Sequence, residues 1–524
     1  MKKSALTMVL ALGITSTSAS AFDYFFQTGR SAGYGSAGTT YAHWSAASNY
    51  NPALIGSASG DKSKKDFFLV LPNFRGNAAT NKTVDEMDDL FTEFEEVNDE
   101  FDQRDNIDLL EGDIQDLQDA IDLSNRMVDA VGDIDGLGGN GGFGFGTAAG
   151  LSFKKFAVGL HLNTHFAGGG SANVDEEDLA LLRRYTKLAQ VLKDDVRPLY
   201  DSANELEAEA NDAALRAEAL EDAFNNGTAT QEDFQEAQAL ADSLEIQKNE
   251  ALALAETAKE TQAGIETEFA DIFNPDTQSI EFDENDLQSN GRFAGIGWFE
   301  VGATIGSKWQ LKSGKTVSAG VTLKSVHIEL YDYVANVSSI DTGDVNGDDY
   351  RAQEDFATAD VGVIVGLDPM DKWRIGATVK NISGTTIKSN GLRLPEGVDE
   401  LTFEVEPQVR VGTSYNGGWY RIAADIDLTE SSGPVTSDGE QFFQGTQYAN
   451  VGAILNAFNF VELRAGYRHN MASSDVVSKN DEASAGLVTL GAGLYLGPIQ
   501  ADLAFQASPD GDEIGFGFQS MLTF

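Results

Sequence analysis

The chain has 524 residues, no cysteine, and 83 acidic against 36 basic side chains, for a formal charge of −47. The missing cysteines exclude disulfides and thiolate metal sites, and the charge excludes a surface that tracks nucleic-acid phosphates, so no nucleic-acid partner is expected. The length allows two or three domains.

Residues 1–21 read as an export signal. A basic "MKK" precedes the apolar "ALTMVLALGI", and Ala19-Ser20-Ala21 is an A-x-A cleavage site, predicting a mature chain from Phe22. The apolar run is too short to span a bilayer, and no later run reaches the roughly 18 residues a spanning helix needs. The next stretch, "RSAGYGSAGTTYAHWSAASNYNPALIG" from Arg30 to Gly56, is small, Gly-rich and nearly uncharged in an otherwise acidic chain. Such residues allow tight turns and close backbone approach.

From residue 63 to 524 the pattern is that of a transmembrane barrel, in which apolar and polar residues alternate along strands of about 9–11 residues. Val461, Leu463, Ala465 and Tyr467 face opposite Glu462, Arg464 and Arg468. Tyr420, Ile422, Ala424, Ile426 and Leu428 oppose Arg421, Asp425 and Asp427. Phe403, Val405, Val409 and Val411 oppose Glu404, Glu406, Gln408 and Arg410. Ile499, Ala501, Leu503 and Phe505 oppose Gln500, Asp502 and Gln506. Charges on every second residue suit a water-filled lumen and are costly in a dry sandwich core.

Fourteen strands are predicted: 65–74, 143–152, 155–166, 292–305, 315–332, 356–367, 372–382, 403–415, 418–429, 445–457, 460–469, 484–496, 498–507 and 512–524. In the last, Ile514, Phe516, Phe518, Leu522 and Phe524 share one face, similar to the terminal assembly signal of outer-membrane barrels. The expected fold class is an all-β antiparallel barrel with helical insertions. Its partners would be outer-membrane lipid and the barrel-assembly machinery, and its location the bacterial outer membrane. Short and long connections alternate, which orients the barrel with long loops outside and both termini in the periplasm.

Two long loops read as helical. The insertion at 75–142 is acidic, with one stripe through Val84, Met87, Phe91, Phe94 and Phe101 and another through Leu110, Ile114, Leu117 and Ile121. The insertion at 167–291 contains two long helices within 176–273, with Ala and Leu at strict 3/4 spacing and a polar turn "NNGTATQ" between them. That is an antiparallel, coiled-coil-like hairpin of order 50 Å. Thr230 before Asp233 suits a capping box, and Pro198 is expected to kink the first helix. The hairpin serves either as a rigid spacer or as an arm for a surface protein partner.

Residues 344–355, "DVNGDDYRAQED", place Asp344, Asn346, Asp348, the Tyr350 carbonyl and Asp355 at positions 1, 3, 5, 7 and 12 of a calcium loop. Ca²⁺ is thus the one candidate cofactor, although Asp349 stands where glycine makes the sharp turn; the alternative is a solvated turn between strands. "GLGGNGG" at 136–142 matches G-x-G-x-x-G, but it follows a helix and precedes a strand, so it reads as a flexible loop. The five histidines are scattered, and no hydrolase motif occurs, so an enzyme is not expected.

The N-terminal segment carries a resemblance. Arg30, Ser31, Gly35, Ala37 and Asn51 to Ile55, followed by "KDFFLVLPNF", resemble the FadL-type transporters of hydrophobic compounds. The "RSAG…NPAL" start, the "FFLVLP" strand and the acidic helical stretch are closer in style to the TraF-like conjugal transfer proteins. The resemblance implies that residues 22–62 fold inside the barrel as a hatch, with Arg30, Gly35, Asn51, Pro52 and Ala53 as gate residues. It implies a channel for small hydrophobic molecules through a plugged barrel. The alternative is a surface-display or conjugal-transfer-associated protein that works through its helical loops.

Overall fold

The computed structural model describes residues 23–59, 66–80, 96–97, 114–134, 138–270, 272–274, 279–280, 288–336, 348–395, 398–437, 445–458, 460–472, 486–509, 511 and 513–524. The expected signal segment 1–21 and the expected helical stripe through Val84 to Phe101 lie outside them.

Fourteen strands close a barrel: β1 (Phe67–Thr80), β2 (Gly138–Ser152), β3 (Ala157–Asn173), β4 (Asn290–Gln310), β5 (Thr316–Asn336), β6 (Arg351–Gly366), β7 (Trp373–Lys380), β8 (Gln408–Asn416), β9 (Tyr420–Asp427), β10 (Tyr448–Phe458), β11 (Val461–Asn470), β12 (Leu487–Leu496), β13 (Ile499–Ala507) and β14 (Glu513–Thr523). Each pairs antiparallel with its neighbours, and β14 returns to β1 with Phe68 opposite Thr523. The chain is thus an all-β antiparallel barrel, as its alternation implied.

Alternation decides what each face meets. Leu160, Val301, Leu323, Leu503 and Phe516 stand exposed on the outer wall, while their strand neighbours His161, Glu300, Lys324 and Asp502 are buried in the lumen. On β14, Ile514 shares the outer face with Phe516, Phe518 and Leu522, and the pattern runs on to Phe524. Aromatic residues gather at the short-turn end: Phe153 stacks on Phe156, Trp373 leans on Tyr415, and Trp419 meets Tyr420. Such a girdle marks a membrane–water interface. Among the described residues no helix is long and apolar enough to cross a membrane.

Several strands run longer than the sequence reading, as β3 does to Asn173 and β4 to Gln310, and three differences matter most. β1 continues to Thr80 and β2 begins at Gly138, so the glycine run is strand rather than loop. Gly138 to Gly142 pair with Ser171 to Ala167 on β3, and a ladder supplied from both sides holds backbone that lacks β propensity. Pro72 falls where the register shifts between Leu71 and Asn73, a bulge that tolerates its missing N–H. The expected strand 403–415 is broken. Only Gln408–Asn416 joins the barrel, while Thr402–Val405 pairs with Thr385–Lys388 in a separate hairpin.

Residues 23–59 run through the lumen. Two short helices, α1 (Gly29–Ala32) and α2 (Ala53–Gly56), and one 3₁₀ turn at Trp44–Ala46 punctuate otherwise irregular chain. Thr28 and Ser31 form a capping box at α1.

A second compact unit comprises mainly Leu90–Asp133 and Val174–Gln288. It holds α3 (Ile114–Ile134), α4 (Glu176–Val191), α5 (Arg197–Asn225) and α6 (Gln231–Glu268). Ahead of Pro198 the helix passes through a π turn at Leu192–Val196, with right-handed helical backbone kept at Val196 and Arg197. The Thr230–Asp233 capping box forms at the start of α6. The expected seam is thin, since α5 buries only Ala213 and Leu220, and a firmer cluster forms where α4 meets the end of α6, among Leu188, Leu192, Ile265, Phe269 and Ile272.

Candidate functional site

The lumen is where the sequence-predicted gate residues meet the wall. The Arg30 guanidinium lies 3.1 Å from both carboxylate oxygens of Glu462 on β11. Glu462 also accepts from Arg464 at 2.9 Å and from the Tyr495 hydroxyl at 2.7 Å, and Arg464 reaches Asp502 at 2.5 Å. Gly35 adopts φ +68 and donates its N–H to the Thr489 hydroxyl at 2.8 Å. Asn51 accepts from the Ala53 N–H at 2.9 Å and points its amide at the backbone oxygen of Ala377, 3.3 Å away. Pro52 and the wholly buried Ala53 press against Gly320 on β5.

The wall is shaped to receive this segment. Gly306, Gly320 and Gly362 stand abreast on β4, β5 and β6. A Cβ on Gly362 would sit 1.8 Å from Asn51 Oδ1, and one on Gly320 2.2 Å from the Pro52 carbonyl oxygen. A second seat forms where Gly452 and Gly466 pair across β10 and β11 beneath Tyr34 and Gly35. Glycine is required in both seats because plug backbone lies where side chains would begin.

Several contacts were not visible in the sequence. Asp23 meets Arg468 at 2.8 Å. Burial alone would raise the Asp23 carboxyl, but Arg468, Arg410 and Arg75 hold it below the usual carboxylate range. Phe25 stacks 3.7 Å from the Arg410 guanidinium, which forks onto Asp427. Thr39 gives both its N–H and its hydroxyl to Asp425, each at 2.8 Å. Lys380 donates to the carbonyls of Ser48 and Asn49 at 3.0 and 3.2 Å. Beside it Lys324 lies 3.0 Å from both Glu300 and Asp360, and His161 3.1 Å from Glu300. The alternating charges therefore do not face a water-filled lumen at this level. They are paired across strands and against the plug, as burial demands.

Above these ion pairs the pattern inverts. Up to Lys324, β5 turns Val321 and Leu323 outward and Thr322 and Lys324 inward; beyond it Val326, Ile328 and Leu330 face the lumen, with His327 and Glu329 outside. Ala294, Ile296 and Trp298 of β4 continue the apolar lumenal patch, with Ala352 and Phe356 of β6 packed against it. Tyr24 and Phe26 border it, their rings 5.3 and 6.3 Å from that of Trp298. The hairpin between β7 and β8 covers the patch with Ile387, Leu401, Phe403 and Val405. Phe403 and Val405 were expected on the lipid face; a period of two cannot say which face is which. The available signals were the Glu406-Pro407 break and the inverted order in "VHIELYD".

Asp344 and Asn346 of the calcium reading lie outside the described residues. Asp348–Tyr350 form one 3₁₀ turn, and the Tyr350 ring packs 4.9 Å from Tyr333. Asp355 does not close a loop: it lies within β6, with its carboxylate 2.9 Å from His327 Nδ1. Among the described residues no group of three or more His, Asp or Glu side chains is placed to hold a metal ion.

A closed fourteen-strand barrel, apolar outside and filled by its own N-terminal segment, is an outer-membrane-type plugged β-barrel. Within that class the chain belongs to the family described as F plasmid transfer operon, TraF, protein, whose profile matches residues 48–427. Among solved structures it is similar to the toluene transporter TbuX of Ralstonia pickettii, at 11% identity over 96% of this chain and 98% of that one, with TM-score 0.42. It is similar to the toluene transporter TodX of P. putida at 11% identity, 96% and 98% coverage and TM-score 0.40. A FadL homologue of Pseudomonas aeruginosa matches at 10% identity, 97% and 99% coverage and TM-score 0.42. No curated protein sequence matches the chain.

Proposed function

We propose that the protein is an outer-membrane channel for small hydrophobic molecules, closed by its N-terminal plug. One observation carries this: the apolar lumenal patch of Ile296, Trp298, Val326, Ile328 and Leu330, the largest of the apolar clusters inside a barrel whose lumenal wall also carries many buried charges. A pore for water-soluble solutes has no use for such a wall, whereas an apolar solute leaves water to reach it. The residues that tie the plug to the wall, Arg30, Gly35, Asn51, Pro52 and Ala53, are then the gate.

The test is uptake of radiolabelled naphthalene by cells producing the protein, against cells without it. Ile328→Asn places an amide in the patch and is expected to abolish the gain while the barrel still assembles, as judged by heat-modifiable gel migration. No gain with the wild type, or an unaffected Ile328→Asn, refutes the channel.

A second reading has its own support. Leu215, Phe234, Ile246 and Leu252 stand exposed on α5 and α6. This favours a docking arm for a surface partner, in keeping with a family described by plasmid transfer. Deleting 176–273 separates the two: cell contact or transfer is lost and naphthalene uptake survives if the arm has its own partner.

A further inference from the structure

We infer that the hairpin between β7 and β8 is a resident competitor for the apolar lumenal patch, and that a hydrophobic ligand enters by displacing it. The inference rests on the channel reading and adds the element that controls access to it.

The hairpin meets the patch as a ligand would. Its strands Thr385–Lys388 and Thr402–Val405 present one apolar face, and Ile387, Phe403 and Val405 are buried while Thr386, Lys388 and Glu404 on the other face are exposed. The contact on the patch side is therefore apolar, without direction, and replaceable by any apolar solute of similar bulk.

Its polar attachments lie at its edges and in its loop rather than on the apolar face: Arg292 donates to the Asp399 carbonyl at 2.7 Å, and the Arg393 N–H to the Asp349 carbonyl at 3.0 Å. The chain parts from β8 at Asn381, which adopts φ +53 and donates its N–H to Asp360, and it stays tied to β6 through Ile382 and Ser383, which donate to Ala359, Thr358 and Ala357. It rejoins after Glu406-Pro407, where proline cannot extend the ladder. The Pro407 foot is a natural hinge, because regular pairing resumes only at Gln408 with Lys380, and the other foot bends beyond Ser383, its last tie to β6. One edge latch is explicit. Thr402 and Val435 exchange both backbone hydrogen bonds, at 2.7 and 2.8 Å, which ties the hairpin to the loop after β9. That loop is itself anchored, since Ser431 bridges Thr446.

The latch offers a test. Residues that exchange both bonds sit about 5.5 Å apart at Cα, within disulfide range. The chain has no cysteine, so Thr402→Cys with Val435→Cys creates a single thiol pair. Naphthalene uptake is measured in cells producing this variant, oxidised and then reduced, so that the reduced form controls for assembly. Locking the hairpin down is expected to slow uptake at least about tenfold, with recovery on reduction, because only the displaced state admits ligand. Equal rates in the oxidised and reduced variant, with wild-type uptake intact, overturn the competitor and leave the channel standing. Absence of uptake in the wild type overturns both. Phe403→Ala gives an independent reading: a weakened competitor raises uptake at low naphthalene concentration, and an unchanged or lower rate in an assembled barrel counts against the inference.

Discussion

Removing the Arg30 side chain should loosen the plug by an amount the structure lets one bound. Arg30, Glu462, Arg464 and Asp502 form a buried group of two cations and two anions. Arg30→Ala leaves the group one charge negative, and Glu462→Ala leaves it one charge positive. Unpairing a buried ion costs about 3–5 kcal/mol, because the partner stays desolvated. At about 1.4 kcal/mol per decade, the plug-out population should rise about a hundredfold to a few thousandfold. The assay is thiol labelling of Ala47→Cys, a buried plug position in a chain with no other cysteine. Where the plug recloses faster than the reagent reacts, the labelling rate reads the open population. The double variant restores neutrality and should fall short of the product of the single effects by about 1–3 kcal/mol of coupling. Labelling of Arg30→Ala at the wild-type rate, or a double variant that labels at the product of the two singles, refutes the latch.

Gly362→Leu should keep the plug from seating, since even a Cβ there would lie 1.8 Å from Asn51 Oδ1; protease cleavage between residues 23 and 59 in the folded barrel checks it. Asp371, in the turn between β6 and β7, is buried enough to be raised, but Lys308 and Arg374 outweigh burial and hold its carboxyl below the usual range. A depressed carboxylate stabilises the fold above its unfolded pKa and loses that contribution as pH falls through the folded value. Wild type should therefore lose resistance to urea between about pH 5 and about pH 3 more steeply than Asp371→Asn; parallel curves would refute the assignment. Thr230→Ala removes the capping box of α6 and should cost about 1 kcal/mol locally, seen as faster amide exchange in the first turn of that helix.

The barrel was legible because its alternation is local. Val461 to Arg468 and Ile499 to Gln506 announce their two faces within eight residues, and the assignment needs only that one face be wet or paired and the other not. The plug contacts were partly legible. Arg30 and Asn51 stood out in a small-residue segment, but their partners Glu462 and Ala377 lie hundreds of positions away, and only strand register brings them near. The ion pairs of Lys324, Asp360 and Lys380 were not legible, because a sequence shows charges but not which opposite charge the neighbouring strand supplies. The hairpin was misread for a sharper reason. Phe403 and Val405 alternate as lipid-facing residues do, and burying them inside requires the chain to part from β8 at Asn381 and rejoin it after Pro407. β5 carries the complementary signal, since its apolar residues change sides at Lys324, where a strand that faced lipid throughout would keep them on one side.

The plug carries one further consequence, in its response to voltage. Residues 23–59 contain one carboxylate, Asp23, one guanidinium, Arg30, and one imidazole, His43. Burial, assisted by Arg30, pulls the His43 pKa down to about 3, so the ring is neutral at ordinary pH. Residues 23–59 therefore carry no net charge, and a chain cleaved before Phe22 adds the single positive charge of its α-amino group. A field across a membrane does work only on charge that moves, about 2.3 kcal/mol per elementary charge per 100 mV. Carrying Asp23 and Arg30 together through the lumen moves none. On the channel reading, a potential acts on this plug through at most that one terminal charge, so its opening would answer chiefly to what binds.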